Sequence, residues 1–264
     1  MAITEAVDFY VFSGTGNTLL VAQEMQKVFQ EHGWATQRFR MEQTPPASVA
    51  LDRTLGLAFP IAAQATYPLV WPFCEGLPRA EGTPVFMVDT MMMYSGGIVG
   101  PLRALLVRKG YKPIGAREIR MPYNVYPARI RPVRNAAKIS CGKEEARRYA
   151  EELIAGRAHW GRIPVLPDLM RSFSNGPWTW WVAREMGKRM RVDEARCTRC
   201  GLCARLCPVG NITMQGMPVY DSPCQQCMRC ISFCPTEAIS LAGLHTARYR
   251  AVDAKALLEE DIAK

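Results

Sequence analysis

The chain has 264 residues, ten of them cysteine, and a formal charge of +9 from 33 Lys and Arg against 24 Asp and Glu. Its longest apolar stretches are interrupted, as Asp89 interrupts Val85 to Tyr94, which excludes a membrane-spanning helix. No basic run carries the interleaved aromatics of a nucleic-acid module, and the length calls for two domains rather than one.

Nothing after Met1 resembles a basic segment followed by an apolar one, so no export signal is read and a cytoplasmic location is expected. Val7 to Phe12 is a short apolar run suited to a buried strand. Ser13-Gly14-Thr15-Gly16-Asn17-Thr18 follows directly, and a helical pattern then runs to a plausible cap at Gly33, with Val21, Met25, Val28 and Phe29 on its inner face. A Gly-rich, hydroxyl-bearing turn at a helix N-terminus suits a phosphate. It fits neither Gly-x-Gly-x-x-Gly nor the P-loop pattern, and no Lys follows to meet a triphosphate, so a monophosphate is the better match and a pyridine nucleotide is not expected. An ordinary strand-to-helix turn is the alternative.

Ala35 to Met41 alternates as a second strand. Thr54 to Phe59 and Thr83 to Val88 read as buried parallel strands, and Arg117 to Met121 as a fifth. Pro101 to Lys109 and Glu144 to Ile154 read as helices between and after them. This alternation predicts an α/β fold with a doubly wound, five-stranded parallel sheet, whose ligand sits beyond the carboxyl ends of the strands. The loops there are Pro60 to Tyr67, including Ala62, and Thr90 to Gly97, including Tyr94 and Gly96.

Gly156 to Met190 holds Trp160, Trp178, Trp180 and Trp181 with Pro164, Pro167 and Pro177, and is no flexible tether. From Trp178 onward, Trp181, Val182, Met186 and Met190 share a helical face opposite Arg184, Lys188 and Arg189. That face is read as a clamp between two domains; the alternative is peripheral contact with a membrane surface or a partner.

Eight cysteines then form two copies of C-x2-C-x2-C-x3-C-P: Cys197, Cys200, Cys203, Cys207 before Pro208, and Cys224, Cys227, Cys230, Cys234 before Pro235. The second copy is displaced by 27 residues, and Ile212 recurs in register as Ile239. This is the spacing of bacterial two-cluster ferredoxins, in which the fourth cysteine of each run ligates the other cluster. The expected [4Fe-4S] ligand sets are Cys197, Cys200, Cys203 with Cys234, and Cys224, Cys227, Cys230 with Cys207. Zinc wants two CxxC pairs with a longer insert and leaves the third cysteine of each run without a place. Cys74 and Cys141 lie outside the runs and read as ordinary thiols. His32, His159 and His245 stand beside no recognisable catalytic partner.

Ser13 to Thr18 resembles the FMN phosphate loop of flavodoxins, and the loops after the third and fourth strands resemble those that grip the isoalloxazine ring. With Met121-Pro122-Tyr123-Asn124 and the eight cysteines, nearly the whole chain resembles the ferredoxin family with an N-terminal flavodoxin-like domain. The resemblance implies FMN beside two [4Fe-4S] clusters. Its FMN contacts fall on Ser13, Gly14, Thr15, Gly16, Asn17, Thr18, Pro60, Ala62, Tyr67, Thr90, Tyr94, Gly96, Gly97 and Asn124, with Tyr67 and Tyr94 nominated to stack on the ring. Plain packing is the alternative for each tyrosine. The expected organisation is a flavodoxin-like FMN-binding domain at 1–156, a Trp-rich connecting segment at 157–190, a small α+β ferredoxin domain at 191–243 and a tail at 244–264.

Two clusters and a flavin phosphate would remove about six charges from the apparent surplus, which weakens the case for an acidic polymer as partner. The expected function is carriage of low-potential electrons between two [4Fe-4S] clusters and FMN for a redox partner protein. The enzymatic alternative reduces a small substrate in a pocket framed by Tyr67, Tyr94 and Asn124. A redox sensor is a third reading, and it leaves the FMN unexplained.

Overall fold

The computed structural model describes residues 5–93, 97–124, 130–161, 176–221, 224–242 and 248–259. Strands β1 (Ala6–Val11), β2 (Ala35–Arg40), β3 (Thr54–Pro60), β4 (Pro84–Met91) and β5 (Lys112–Arg120) form one parallel sheet in the order β2-β1-β3-β4-β5. That is the order of a flavodoxin-like doubly wound sheet. Apolar residues of β1 face alternately both ways. Val7, Phe9 and Val11 pack with helices α1 (Asn17–Glu31) and α4 (Pro132–Ile154), whereas Tyr10 and Phe12 pack with α2 (Val70–Gly76) and α3 (Val99–Arg108). Burial on both faces is why these strands read as apolar runs.

The expected elements differ from the observed ones mainly at their ends. β5 begins five residues before Arg117, at Lys112, despite Pro113 and Gly115, and a register shift sits opposite it between Val85 and Phe86. A bulge there accommodates a proline that an unbroken ladder would reject. The predicted helix at Glu144 extends back to Pro132, because its outer turns are solvent-facing and carry no apolar period.

Glu24 of α1 ties α1 to α4: Arg147 lies 3.1 Å from one carboxylate oxygen, and Lys27 and Lys143 lie 3.5 and 3.7 Å from the other. Burial alone raises its pKa, but the Arg147 hydrogen bond and the two ammonium charges outweigh it, and the carboxyl titrates below its ordinary range. A carboxylate depressed in the folded state contributes stability above its unfolded value and loses it as pH falls through the folded one. Glu24→Gln is therefore expected to flatten the acid-side fall in Tm and to cost under about 1 kcal/mol at neutral pH, as pH-dependent thermal unfolding would record.

The cysteine-rich part is small. Strand β6 (Met190–Val192) pairs antiparallel with β9 (Ile239–Leu241), and β7 (Ile212–Gln215) forms a hairpin with β8 (Met217–Tyr220). Two short helices, α6 (Leu202–Leu206) and α7 (Arg229–Ser232), occupy equivalent places in the two cysteine runs. The sequence repeat is also a backbone repeat. Arg199, Gly201 and Gly210 have φ of 57°, 70° and 62°, and their counterparts 27 residues on, Gln226, Met228 and Glu237, have 54°, 65° and 55°. Three non-glycine residues accept the left-handed region in the second copy, a strain expected only where the surrounding geometry demands it.

Helix α5 (Pro177–Gly187) lies between the two parts. Trp180 packs with the α2/α3 side of the sheet and stands 6.3 Å from Tyr67, while Met186 packs with the core of the cysteine-rich part. The clamp thus runs through Trp180, Ala183, Met186 and Gly187. The predicted face differs in its aromatic member: Trp181 is 52% exposed, stacked 5.0 Å from an exposed Trp178. Met190, also assigned to that face, belongs to β6 instead. The tail beyond residue 247 returns to the sheet, and Leu257 of α8 (Ala254–Leu258) joins the core beside α1.

Candidate cofactor sites

The turn after β1 delivers its backbone to the N-terminus of α1. Gly16 takes φ 103° and offers no capping side chain; of the first-turn N–H groups, that of Leu19 donates to the Ser13 hydroxyl at 3.3 Å. A helix N-terminus among hydroxyls is an anion cradle. Ser13, Gly14, Thr15, Asn17 and Thr18 line a cleft with Pro60, Tyr67, Thr90 and Asn124. The Thr18 and Thr90 hydroxyls are 2.8 Å apart, and the Asn124 amide donates to the Thr15 hydroxyl at 2.6 Å. The Asn17 amide donates to the Pro122 carbonyl at 2.9 Å. These bonds bind the loops at the ends of β1, β4 and β5 into one rim.

Of the other nominated contacts, Ala62 and Gly97 do not line this cleft, nor does Gly16, whose outer face is covered by Val252. Tyr94 and Gly96 lie outside the described residues. Tyr67 is only 6% exposed, edge-on to Phe12 at 5.3 Å, so it serves as a packed wall of the cleft. Ile61, Met91, Met92, Met121, Pro122 and Tyr123 also line the cleft without having been singled out individually. Their common signal was position at a strand's carboxyl end, a rule that names loops rather than side chains.

The cysteines gather in two cavities. Cys207, Cys224, Cys227 and Cys230 line one, with Ile212, Tyr220 and Ile231 around them. Cys197, Cys200, Cys203 and Cys234 line another. In each, the fourth cysteine of one run sits with the first three of the other. Backbone N–H groups of Asn211, Gln226 and Ala238 donate to the sulfurs of Cys207, Cys224 and Cys234 at 3.2, 3.4 and 3.3 Å. Such donors favour thiolates, and in iron–sulfur sites they tune potential. Burial pushes the Cys227 thiol up to about 12, the nearby Arg229 charge opposing it, and burial also raises Cys203, Cys224 and Cys230. Thiols held in so apolar a place ionise only if a metal charge replaces the lost water, which metal coordination does outright. Four cysteines around each cavity fit a sulfur-ligated group.

The two sites abut. A methyl group on Gly14 would stand 2.6 Å from the Cys227 carbonyl oxygen, and one on Gly187 would stand 2.3 Å from Cys224 Cβ. Leu69 N–H donates to Gln225 Oε1 of the same run at 3.2 Å, and the Gln226 amide donates to the Ala183 carbonyl at 3.1 Å. From the tail, Ala251 N–H donates to the Thr15 carbonyl at 2.8 Å and the Tyr249 hydroxyl to Asn17 Oδ1 at 2.6 Å. Neither the tail nor these inter-domain contacts carried a sequence signal.

Fold and sites together define a fusion of a flavodoxin-like α/β domain with a ferredoxin-type module. Residues 190–213 and 222–237 match two families, each described as a 4Fe-4S binding domain. No curated protein matches the chain. Among solved structures, the two-electron reduced flavodoxin of Megasphaera elsdenii is similar at 22% identity over 53% of this chain and 98% of its own, with a TM-score of 0.40. A Streptococcus pneumonia TIGR4 flavodoxin is similar at 15% over 57% and 97%, with a TM-score of 0.41. Rubredoxin oxygen:oxidoreductase from the anaerobe Desulfovibrio gigas is similar at 17% over 60% of this chain but only 38% of its own, with a TM-score of 0.41. The fold assignment rests on the strand order itself.

Proposed function

We propose that the protein is an iron–sulfur flavoprotein that carries low-potential electrons between two [4Fe-4S] clusters and FMN for a partner redox enzyme. Residues 191–243 would hold the clusters, through Cys197, Cys200, Cys203 and Cys234 on one side and Cys207, Cys224, Cys227 and Cys230 on the other. Residues 1–156 would hold FMN, its phosphate at Ser13 to Thr18 and its ring near Pro60, Tyr67, Thr90 and Asn124. A cytoplasmic location belongs to the same reading, since thiols stay reduced there.

One observation carries the proposal: Cys227, a wall of one cysteine cavity, presses its carbonyl against Gly14 of the phosphate loop. When bound, the clusters supply one-electron exchange and the flavin one- or two-electron exchange. The chain's own work is positional. Backbone N–H groups and the Ser13, Thr15 and Thr18 hydroxyls orient the phosphate; apolar Ile212, Ile231 and Met228 exclude water from the cysteine cavity; α5 holds the two parts in one geometry. Asn124 and Tyr67, which would frame a pocket for a small substrate, are committed to Thr15 and to Phe12 with Trp180. That commitment favours carriage over direct substrate reduction. Anaerobic titration with a low-potential reductant is expected to deliver roughly four electron equivalents per chain, one to each cluster and two to FMN. Uptake of only two would remove the flavin from the account.

Among the described residues no helix is long and apolar enough to cross a membrane.

A further inference from the structure

The two cysteine runs are near copies, so the positions where they differ act as an internal comparison. Residue 229 is the sharpest difference. Its counterpart 27 residues earlier is Leu202, which packs partly buried against the core beside α1. Arg229 instead lines the cavity of Cys207, Cys224, Cys227 and Cys230, is 2% exposed, and lies 5.1 Å above the Phe12 ring.

Two nitrogens of its guanidinium are engaged. Nε donates to the Ser13 carbonyl at 2.8 Å, and Nη1 donates to Glu42 Oε1 at 2.6 Å and to the Leu206 carbonyl at 3.2 Å. Glu42 Oε1 also takes a hydrogen bond from Arg40 at 3.2 Å. Two guanidiniums share one carboxylate oxygen, and all three side chains are at most 11% exposed, so the Arg229 charge sits in a poorly solvated place. Taking such a charge from water is costly unless negative groups lie close. The thiolate cavity lies on one side of it and the phosphate loop on the other.

Burial by itself disfavours the more negative state of a group held in that cavity, which Arg229 lines; the other cavity is lined by an exposed Arg199, and Arg248 beside its Cys234 is paired with Glu237 at 3.4 Å. Resting on the function proposed above, we infer that Arg229 is a positioning residue that makes the two cluster sites inequivalent: its charge favours the reduced state at the Cys224 site, and its Nε fixes the Ser13 end of the phosphate loop. Electrons shared between the two centres then settle at the one that abuts the FMN cleft.

The test is an EPR-monitored redox titration of full-length holoprotein, with FMN affinity read by fluorescence quenching. Arg229→Leu gives the second run the residue of the first. It is expected to lower the midpoint potential of the centre that Cys207→Ser abolishes, leave the other centre unmoved, and weaken FMN binding roughly tenfold or more, as losing a charge-assisted hydrogen bond does. Arg229→Lys keeps the charge but cannot span three acceptors, so the potential should stay near wild type while FMN binding still weakens. Glu42→Gln removes the compensating anion and should raise the same midpoint; this arm decides if Arg229→Leu does not assemble. Equal shifts at both centres, or wild-type potentials in both Arg229→Leu and Glu42→Gln, would overturn the inference. If wild-type protein holds eight irons but no FMN, the reading of the cleft fails, and the difference between the two potentials still decides the role of Arg229.

Discussion

Replacing Cys207 with serine is expected to strip roughly four of eight irons from the chain, and to strip them from the site of Cys224, Cys227 and Cys230 rather than from that of its own neighbours Cys197, Cys200 and Cys203. Cys207 closes the second run's cavity because the turn after α6 carries it across the module, where its sulfur accepts the Asn211 N–H. Cys234 makes the opposite crossing. A serine there leaves three thiolates and an apolar wall, which lowers iron affinity without disturbing the other set. Mössbauer or EPR spectroscopy of the variant reads which centre is lost. Loss of the centre ligated by its sequence neighbours would refute crossed pairing.

Gly14→Ala is expected to damage both cofactor sites with a single methyl group. The added carbon would stand 2.6 Å from the Cys227 carbonyl oxygen and 3.6 Å from its carbon, so backbone must move on one side or the other. Overpacking of this kind costs about 1–3 kcal/mol, and here the displaced groups are the phosphate loop and a cluster ligand. FMN affinity should fall roughly tenfold to a hundredfold, with a change in the visible spectrum of the iron–sulfur chromophore. Gly33→Ala is the control. Gly33 has φ 79° and nothing within 4 Å of an added methyl, so it should cost about 1 kcal/mol of stability and leave both cofactors bound.

These two changes also mark what the sequence could and could not tell. The 27-residue repeat, the strand before Ser13 and the helix after Thr18 were legible because each is local: ligand spacing, a buried apolar run, a helical period. The three left-handed positions repeated in the second run follow from that same spacing, since tight loops around a cavity require them. Long-range pairings left no such trace. Arg229 and Glu42 are 187 residues apart, and Tyr249 and Asn17 are 232 apart. Within its own run Arg229 reads only as a variable residue between two cysteines. Helix α2 is seven residues long with a proline inside, too short for a period to show. The tail contributes one turn of helix and a few hydrogen bonds, and only the folded loop it covers reveals its place. The helical face of Trp181, Val182, Met186 and Met190 predicts a clamp, and α5 does bridge the two parts, but through Trp180 rather than Trp181. One residue's rotation on a helix is beyond what an irregular apolar pattern specifies.

What the cleft and the two cavities hold decides what the protein does. Anaerobic purification followed by quantitation of iron, acid-labile sulfide and flavin tests it most directly. The expected result is roughly eight irons, eight sulfides and one FMN per chain. Stoichiometric zinc without sulfide, and no bound flavin, would contradict it.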